Sequence, residues 1–289
     1  MATAWIFPGQ GSQAVGMGAD LSTQPELAER LAVAESILGW SLADLTEAHL
    51  SQTTYTQPAL FVVSALLTDL LLARGFQPTC VAGHSLGEYS ALYAAGVLDF
   101  TTTLTLVKQR SALMEQGSPG GMTAVIGFDR SRLEALCADI AGVTIANDNS
   151  PDQVVITGDL AAIEQVVQGL QPKRAVPLAV SGAFHSPFMA DAAHQFGQLL
   201  DPIPFHPATV PLYSNATATA TRDPNQIKAN LKQQMTAGVQ WRSTVLAMVE
   251  AGISSVWEIG SGTVLTNLVK RTAPSLERVT INGVKSLPG

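Results

Sequence analysis

One segment organises the chain: Val81-Ala82-Gly83-His84-Ser85-Leu86-Gly87-Glu88-Tyr89. Its first residues are apolar and typical of a short strand, and its last residues open a helix. Ser85 lies at the centre of the pattern G-x-S-x-G, the nucleophile elbow, in which a sharp turn strains the serine backbone and exposes its hydroxyl. Glycines at 83 and 87 remove side chains that would collide in so tight a turn. The segment predicts a strand, a turn bearing a nucleophilic serine, and a helix whose free N–H groups face that serine.

The composition limits the classes of protein that fit. The 289 residues are 46% hydrophobic and 13% charged, which allows one large domain, alone or with a small insertion. The net charge of -7 and the lack of a basic stripe argue against a nucleic-acid partner. The apolar stretch 58–72 is short and contains Asp69, so a core helix is expected rather than a membrane span, and the N-terminus shows no signal-peptide pattern. Two cysteines give neither a disulfide framework nor metal-ligand spacing, so we expect no metal, no cofactor and a cytoplasmic protein.

Strand-like and helix-like segments alternate over most of the chain, which predicts an α/β fold with a parallel sheet flanked by helices. Between residues 122 and 182 the order changes to βαββαβ, with Asp129 and Asp159 as helix N-caps. We therefore expect a hydrolase-like catalytic domain (1–121 and 183–289) and an inserted ferredoxin-like domain (122–182). Within this pattern one helix is predicted to begin at Gln57-Pro58, another to end at the glycine-rich turn 117–121, and no strand is predicted after Arg271.

A serine hydroxyl needs a base before it can attack a carbonyl carbon. Of the five histidines, His185 is the candidate base, because it lies in a loop of small residues after a strand-like run. His84 adjoins the nucleophile and is expected to point away as a structural residue. A packing or surface role is expected for the remaining three, which are His49, His194 and His206. No aspartate stands out as the group that orients the base, which leaves a backbone carbonyl as the alternative.

The glycine-rich loop 8–13 follows the first strand-like segment. It lacks the Lys and Ser/Thr ending of a phosphate-binding loop. Two interpretations stay open: an ordinary turn, or a loop that gives a second backbone donor to an oxyanion hole.

Several stretches together resemble the malonyl-CoA:acyl carrier protein transacylases, the acyltransferases of fatty-acid synthesis. The matching stretches lie at 7–13, 56–59, 83–92, 149–155, 183–186, 239–241 and 258–260. They occur in the family's order and span nearly the whole chain. The resemblance implies that Ser85 is acylated, that His185 is its base, and that the N–H groups of Gln10 and Leu86 form the oxyanion hole. It further implies that the backbone carbonyl of Gln240 orients His185.

The resemblance also implies residues that contact the acyl group. Arg110 would bind the free carboxylate of the malonyl group, a role that suits the planar guanidinium, although a lone helix arginine is ordinarily a surface cation. Met114, Asn149 and Phe184 would lie near the substrate; the alternatives are a core methionine and a turn asparagine. Leu86 and Phe184 resemble the malonyl-selective signature, in which a bulky residue crowds branched acyl groups.

The reaction implied by the resemblance is a ping-pong transfer from malonyl-CoA to the phosphopantetheine thiol of acyl carrier protein. The expected partners are therefore malonyl-CoA and acyl carrier protein, without nucleic acid or membrane, and the expected state is a monomer. The basic pairs Lys173-Arg174 and Lys270-Arg271 are candidate docking sites for the acidic carrier, unless they are simply solvated.

Three other functions stay open at this point. A serine hydrolase would use the same elbow, although Arg110 and the missing acidic residue argue against it. A non-catalytic docking module could keep the fold. An acyltransferase domain of a larger synthase would share every motif, but the chain ends soon after the last matching stretch, which favours a free-standing enzyme.

Overall fold

A computed structural model describes residues 2–116 and 119–288. The strands are β1 (Thr3–Phe7), β2 (Cys80–Gly83), β3 (Gly121–Ile126), β4 (Val143–Ser150), β5 (Gln153–Gly158), β6 (Arg174–Pro177), β7 (Leu212–Tyr213), β8 (Ala220–Thr221), β9 (Ser255–Ile259) and β10 (Glu277–Ile281). The α-helices are α1 (Ala28–Leu38), α2 (Glu47–Leu50), α3 (Thr53–Ala73), α4 (Gly87–Ala94), α5 (Phe100–Gln116), α6 (Arg130–Asp139), α7 (Leu160–Leu170), α8 (Ala190–Leu200), α9 (Pro224–Gln233), α10 (Trp241–Glu250) and α11 (Val264–Thr272).

The larger of two sheets carries the nucleophile segment. Its strand order is β10-β9-β1-β2-β7-β8, and every pair is parallel except the short β7–β8 pair. The residues of β2 are buried throughout, as are all but the first of β1, because helices cover both faces of a parallel sheet. The carboxyl ends of β1, β2 and β7 therefore lie side by side, and the loops that follow them meet at one edge.

The smaller sheet is antiparallel and has the order β4-β5-β3-β6. Its elements follow the predicted order β3-α6-β4-β5-α7-β6. Asp129 and Asp159 cap α6 and α7 as predicted, each accepting a hydrogen bond from backbone N–H groups of the first turn. The mixed α/β architecture with a parallel-containing sheet and a separate antiparallel sheet agrees with the sequence prediction.

The two sheets are joined through the segment that precedes α10. The N–H of Val239 donates to the carbonyl of Ala146 at 2.7 Å, and the N–H of Asp148 donates back to the carbonyl of Val239 at 2.9 Å. Arg242, on α10, forms a salt bridge of 3.0 Å with Asp148. Strand β4 of the small sheet is thus bonded directly to the chain segment 239–242.

Helix α3 is the central helix of the core. It is long and apolar enough to pass a length-and-composition test for a membrane span, but 83% of its most apolar window is buried inside the protein. That burial agrees with the core helix expected from the sequence. The helix begins at Thr53 rather than at Gln57, so Pro58 lies inside it, one turn later than predicted.

A further difference concerns the last strand of the large sheet. Strand β10 was not predicted; it is a partly exposed edge strand beside β9, and its residues show no clear alternation of buried and exposed positions. Residues 117 and 118 of the turn predicted to end α5 lie outside the described residues.

Candidate active site

Ser85 occupies the turn between β2 and α4 in the strained conformation predicted for an elbow. Its φ of 52° lies in the left-handed region, which residues other than glycine rarely adopt. A Cβ added at Gly83 would lie 1.9 Å from the backbone of Gly87, and one added at Gly87 would lie 2.0 Å from the carbonyl oxygen of Phe7. Both glycines are therefore required by close backbone contacts, as the pattern predicted.

His185 is brought to the serine by the loop between β6 and α8. Its Nε2 lies 2.7 Å from Ser85 Oγ. Its Nδ1 lies 2.9 Å from the carbonyl oxygen of Gln234 and 3.2 Å from that of Ala237. Because carbonyl oxygens only accept, Nδ1 must carry the proton, which leaves the lone pair of Nε2 facing the hydroxyl. The pair is therefore arranged for proton transfer from Ser85 to His185.

The carbonyl that orients His185 is not that of Gln240, and this part of the sequence prediction is wrong. The Gln240 carbonyl accepts hydrogen bonds from the N–H and the hydroxyl of Thr244, both at 2.9 Å, as α10 begins. Gln234 instead immediately follows α9, where the last carbonyls of a helix lack partners within the helix. A free carbonyl at the negative end of a helix is well suited to orient a histidine that becomes positive.

Arg110 contacts the serine hydroxyl and is completely buried. Its Nη2 donates to Ser85 Oγ at 3.2 Å and to the side chain of Gln234 at 3.0 Å, and its Nη1 donates to Gln57 at 2.7 Å. The guanidinium also packs against the ring of Tyr89, 5.3 Å from its centroid. Its Nε has no hydrogen-bond partner among the described residues. A buried cation with spare donor capacity beside a nucleophile suits an anionic substrate group.

Two backbone amides next to the nucleophile have free hydrogens. The N–H of Ser85 itself donates to the side chain of Asn215 at 2.6 Å. The N–H groups of Gln10 and Leu86 donate to no protein atom in the described part of the chain. The Gln10 side chain is held near Gln57 and Thr53 at 3.5 and 3.4 Å. These are the two donors that the family resemblance implied for an oxyanion hole.

A cavity of about 70 Å³ surrounds the reactive pair. Its walls include Met114, Phe184 and the side chain of His84. Because the His84 side chain lines this cavity, it faces the site rather than pointing away as predicted, and its Nε2 lies 2.8 Å from Asn149 Oδ1. Asn149 itself lines the neighbouring cavity together with His84. A second cavity of about 170 Å³ shares Gln10 and His84 with the first and extends to the start of α11. The second cavity is lined by residues of β3 and β5 on one side and of α11 on the other.

Burial sets the protonation states of two groups here. Burial, together with the positive charge of Arg110, lowers the pKa of His185 to about 3, so its imidazole is neutral near pH 7. Burial raises the pKa of the Glu88 carboxyl to about 7, against the effect of its hydrogen bonds from Gln234 and Asn215. Glu88 accepts from the Gln234 side chain at 2.6 Å, and the main-chain carbonyl of Gln234 contacts His185.

Sequence reasoning missed four polar residues of the site. Gln57 and Gln234 hold Arg110, Asn215 holds the elbow, and Glu88 holds Gln234. Gln57 and Glu88 lie inside the stretches that carried the resemblance, and that position could have marked them as site residues. Gln234 and Asn215 lie outside those stretches, so the resemblance did not point to them.

The remaining histidines lie elsewhere. His49 stacks on Tyr55, and His194 lies 3.1 Å from Gln198 on the surface of α8. Within residues 2–116 and 119–288, no group of three or more His, Cys, Asp or Glu side chains is arranged to hold a metal ion.

The chain is similar to known proteins over its whole length. Residues 4–286 match the acyl transferase domain family. The chain is 51% identical over 290 residues to the malonyl CoA-acyl carrier protein transacylase of Synechocystis, covering 99% of each. The crystal structure of the Synechocystis malonyl-CoA:ACP transacylase matches with a TM-score of 0.97 at 50% identity, covering 99% of both chains. A malonyl-transacylase solved in complex with a type II polyketide synthase acyl-carrier protein matches with a TM-score of 0.94 at 36% identity, covering 99% of this chain and 97% of that one.

With this similarity and a serine, a histidine and a buried arginine in one cavity, the chain belongs to the malonyl-CoA:acyl carrier protein transacylase branch of the acyl transferase family.

Proposed function

We propose that this protein transfers the malonyl group of malonyl-CoA to the phosphopantetheine thiol of acyl carrier protein through a malonyl ester on Ser85. The reaction supplies extender units for fatty-acid synthesis. The observation that carries the proposal is the contact of Ser85 Oγ with both His185 and Arg110, at 2.7 and 3.2 Å. A base and a buried cation on one hydroxyl fit a nucleophile whose substrate carries a negative charge.

In the first half-reaction Ser85 Oγ attacks the thioester carbon, and its proton passes to Nε2 of His185. The resulting oxyanion accepts from the free N–H groups of Gln10 and Leu86. The carbon–sulfur bond then breaks, and the departing CoA sulfur takes the proton from His185. The carbonyls of Gln234 and Ala237 hold the imidazolium while it exists.

In the second half-reaction the thiol of the carrier protein gives its proton to His185 and attacks the malonyl ester. The tetrahedral oxyanion again accepts from the same two amides. Ser85 then leaves and recovers a proton from His185, which returns the enzyme to its starting state.

The substrate carboxylate binds Arg110 and thereby tunes the base. In the empty site the charge of Arg110 adds to burial in holding the pKa of His185 to about 3. A malonyl carboxylate paired with Arg110 offsets that charge, so the imidazole becomes a stronger base once the correct substrate is in place. An acetyl group brings no such charge.

The domain boundaries remain part of the proposal. We assign residues 1–121 and 183–289 to a hydrolase-like catalytic domain and 122–182 to an inserted ferredoxin-like domain. The strand order β4-β5-β3-β6 and the element order βαββαβ support the second assignment. The sharp turn after β2 supports the assignment of a hydrolase-like catalytic domain.

The carrier protein is proposed to dock beside α11. Val264, 40% exposed at the start of that helix, lines the 170 Å³ cavity that shares Gln10 and His84 with the cavity at the serine. The exposed Lys270 lies toward the end of the same helix. Arg271 already contacts Asp152 and Gln153 at 3.4 Å, which leaves Lys270 as the freer cation. The known complex of a similar malonyl-transacylase with an acyl-carrier protein supports such a partner. We further propose a monomer in the reducing cytoplasm, where both cysteines stay free.

The test is intact-mass spectrometry of the protein after brief exposure to malonyl-CoA. We expect a stoichiometric malonyl adduct that disappears on addition of acyl carrier protein, and no adduct on Ser85→Ala. Appearance of free malonate faster than malonyl-carrier product would instead indicate a hydrolase. An adduct that persists on Ser85→Ala would overturn the proposal.

A further inference from the structure

Asn215 follows β7 and bridges the two ends of the turn that bears the nucleophile. Its Oδ1 accepts from the N–H of Ser85 at 2.6 Å, and its Nδ2 donates to the carbonyl of Gly83 at 2.5 Å. The side chain is buried, with 3% of its surface exposed. Because β7 runs parallel to β2, its carboxyl end lies beside the elbow, which is what lets one amide reach both partners.

The backbone of Asn215 is itself fixed on both sides. Its N–H donates to the Glu88 carboxyl at 3.4 Å, and its carbonyl accepts from the N–H of Gln240 at 2.8 Å. Glu88 in turn accepts from the side chain of Gln234, whose carbonyl orients His185. One chain of hydrogen bonds therefore connects the turn of the nucleophile with the segment that holds the base.

The contact with the Ser85 N–H has a consequence for the oxyanion hole. The elbow contains two successive backbone N–H groups, those of Ser85 and Leu86. Among the described residues the Ser85 N–H has an acceptor and the Leu86 N–H has none. The amide oxygen of Asn215 occupies the Ser85 N–H, which is then not available to an oxyanion. The same contact holds the backbone of Ser85, whose φ is 52°. The carbonyl of Gly83, held by Nδ2, fixes the other side of the same turn.

We propose that Asn215 is a positioning residue for acyl transfer: it clamps the elbow at Gly83 and Ser85, so that the hydroxyl meets His185 and the Leu86 N–H points at the oxyanion. The inference rests on the proposed role of Ser85. Asn215 touches no reacting atom, so its loss should slow acylation without changing which acyl group is chosen. Misplacing a reacting group by about 1 Å can cost about 100-fold in rate.

The experiment compares Asn215→Ala and Asn215→Asp with Asn230→Ala. Asn230 is a matched control: a buried asparagine of α9, 4% exposed, whose side chain accepts from Gln226 and makes no hydrogen bond to the elbow among the described residues. Single-turnover acylation by malonyl-CoA is followed by rapid quench and mass spectrometry. Labelling by phenylmethylsulfonyl fluoride, which needs only a reactive serine, is measured alongside, and folding is checked by thermal unfolding.

We expect both Asn215 variants to be acylated about 100-fold more slowly, with a similar loss in sulfonyl labelling. The KM for malonyl-CoA and the ratio of malonyl to acetyl transfer should stay within threefold of wild type, because Arg110 is untouched. Asn230→Ala should match wild type. Aspartate is nearly isosteric with asparagine, so the Asn215→Asp variant tests the positioning role if Asn215→Ala fails to fold.

Two results would overturn the inference. Acylation of folded Asn215→Ala within threefold of wild type removes the positioning role. Fast acylation of Asn215→Asp alone removes the bridging part, since Asp keeps the acceptor for Ser85 and loses the donor to Gly83. Failure of the proposed function is distinguishable, because then Ser85→Ala would be acylated as fast as wild type.

Discussion

Arg110→Ala should separate the choice of acyl group from the chemistry. In the wild type the guanidinium is fully buried and already oriented by Gln57 and Gln234, with donors to spare. A malonyl carboxylate would accept two charge-assisted hydrogen bonds from it, each worth about 1.5–3 kcal/mol. Losing about 3–6 kcal/mol of that interaction lowers kcat/KM for malonyl-CoA by about 10²–10⁴-fold.

Acetyl transfer gives the internal comparison. Acetyl-CoA carries no carboxylate, so its kcat/KM should stay within about tenfold of wild type or rise. It should rise to the extent that removing the positive charge lets the pKa of His185 return upward from about 3. A general packing defect would lower malonyl and acetyl transfer alike and leave their ratio unchanged. Loss of the carboxylate contact should instead lower the ratio of malonyl to acetyl transfer.

The assay is transfer from radiolabelled malonyl-CoA or acetyl-CoA to acyl carrier protein, measured by precipitation of the carrier. Arg110→Lys keeps the charge without the planar fork and should lie between wild type and Arg110→Ala. The control is Arg30→Ala, since Arg30 pairs with Asp69 at the surface and should leave both activities unchanged. An equal loss of malonyl and acetyl transfer in Arg110→Ala would refute the carboxylate-binding role.

Three more outcomes are expected. His185→Ala should slow single-turnover acylation by about 10²–10⁴-fold while the protein stays folded, because the base is lost; a change under tenfold would contradict that role. The pKa of the Glu88 carboxyl is about 7 in the folded protein and near 4.5 in the unfolded chain. This difference contributes about 3 kcal/mol to the free energy of unfolding, which is fully present below pH 4.5 and is lost as the pH rises through 7. Urea unfolding at a series of pH values should show that loss, and Glu88→Gln should flatten it. Gly87→Ala should lower the free energy of unfolding by at least about 2 kcal/mol, since the new Cβ would lie 2.0 Å from the carbonyl oxygen of Phe7. Gly197→Ala, in an open position of α8, should instead be neutral or stabilising in the same urea titration.

The sequence predicts the nucleophile well because its signal is local. A glycine two residues on either side of Ser85 is required by contacts within one turn, and those contacts are present. The helix caps Asp129 and Asp159 follow from equally local chemistry. The overall alternation of strands and helices likewise comes from short-range patterns of apolar residues.

The rest of the site depends on contacts that no local pattern encodes. Gln234 orients His185 through a main-chain carbonyl, which every residue type possesses, so no sequence pattern distinguishes it from Gln240. Asn215 acts from 130 positions beyond the serine and lies in an unremarkable polar turn. Strand β10 was missed because its partly exposed edge position leaves no clear alternation in its five residues.

The hydrogen bonds between β4 and Val239 bear on how the enzyme admits its two large substrates. Val239 lies two residues beyond Ala237, whose carbonyl contacts the imidazole, and is tied to Ala146 and Asp148 on the small sheet. A movement of that sheet would therefore also shift the segment whose carbonyl contacts the imidazole. We therefore expect the small sheet to keep its position relative to the base during the reaction, so that a pantetheine arm enters a preformed cleft.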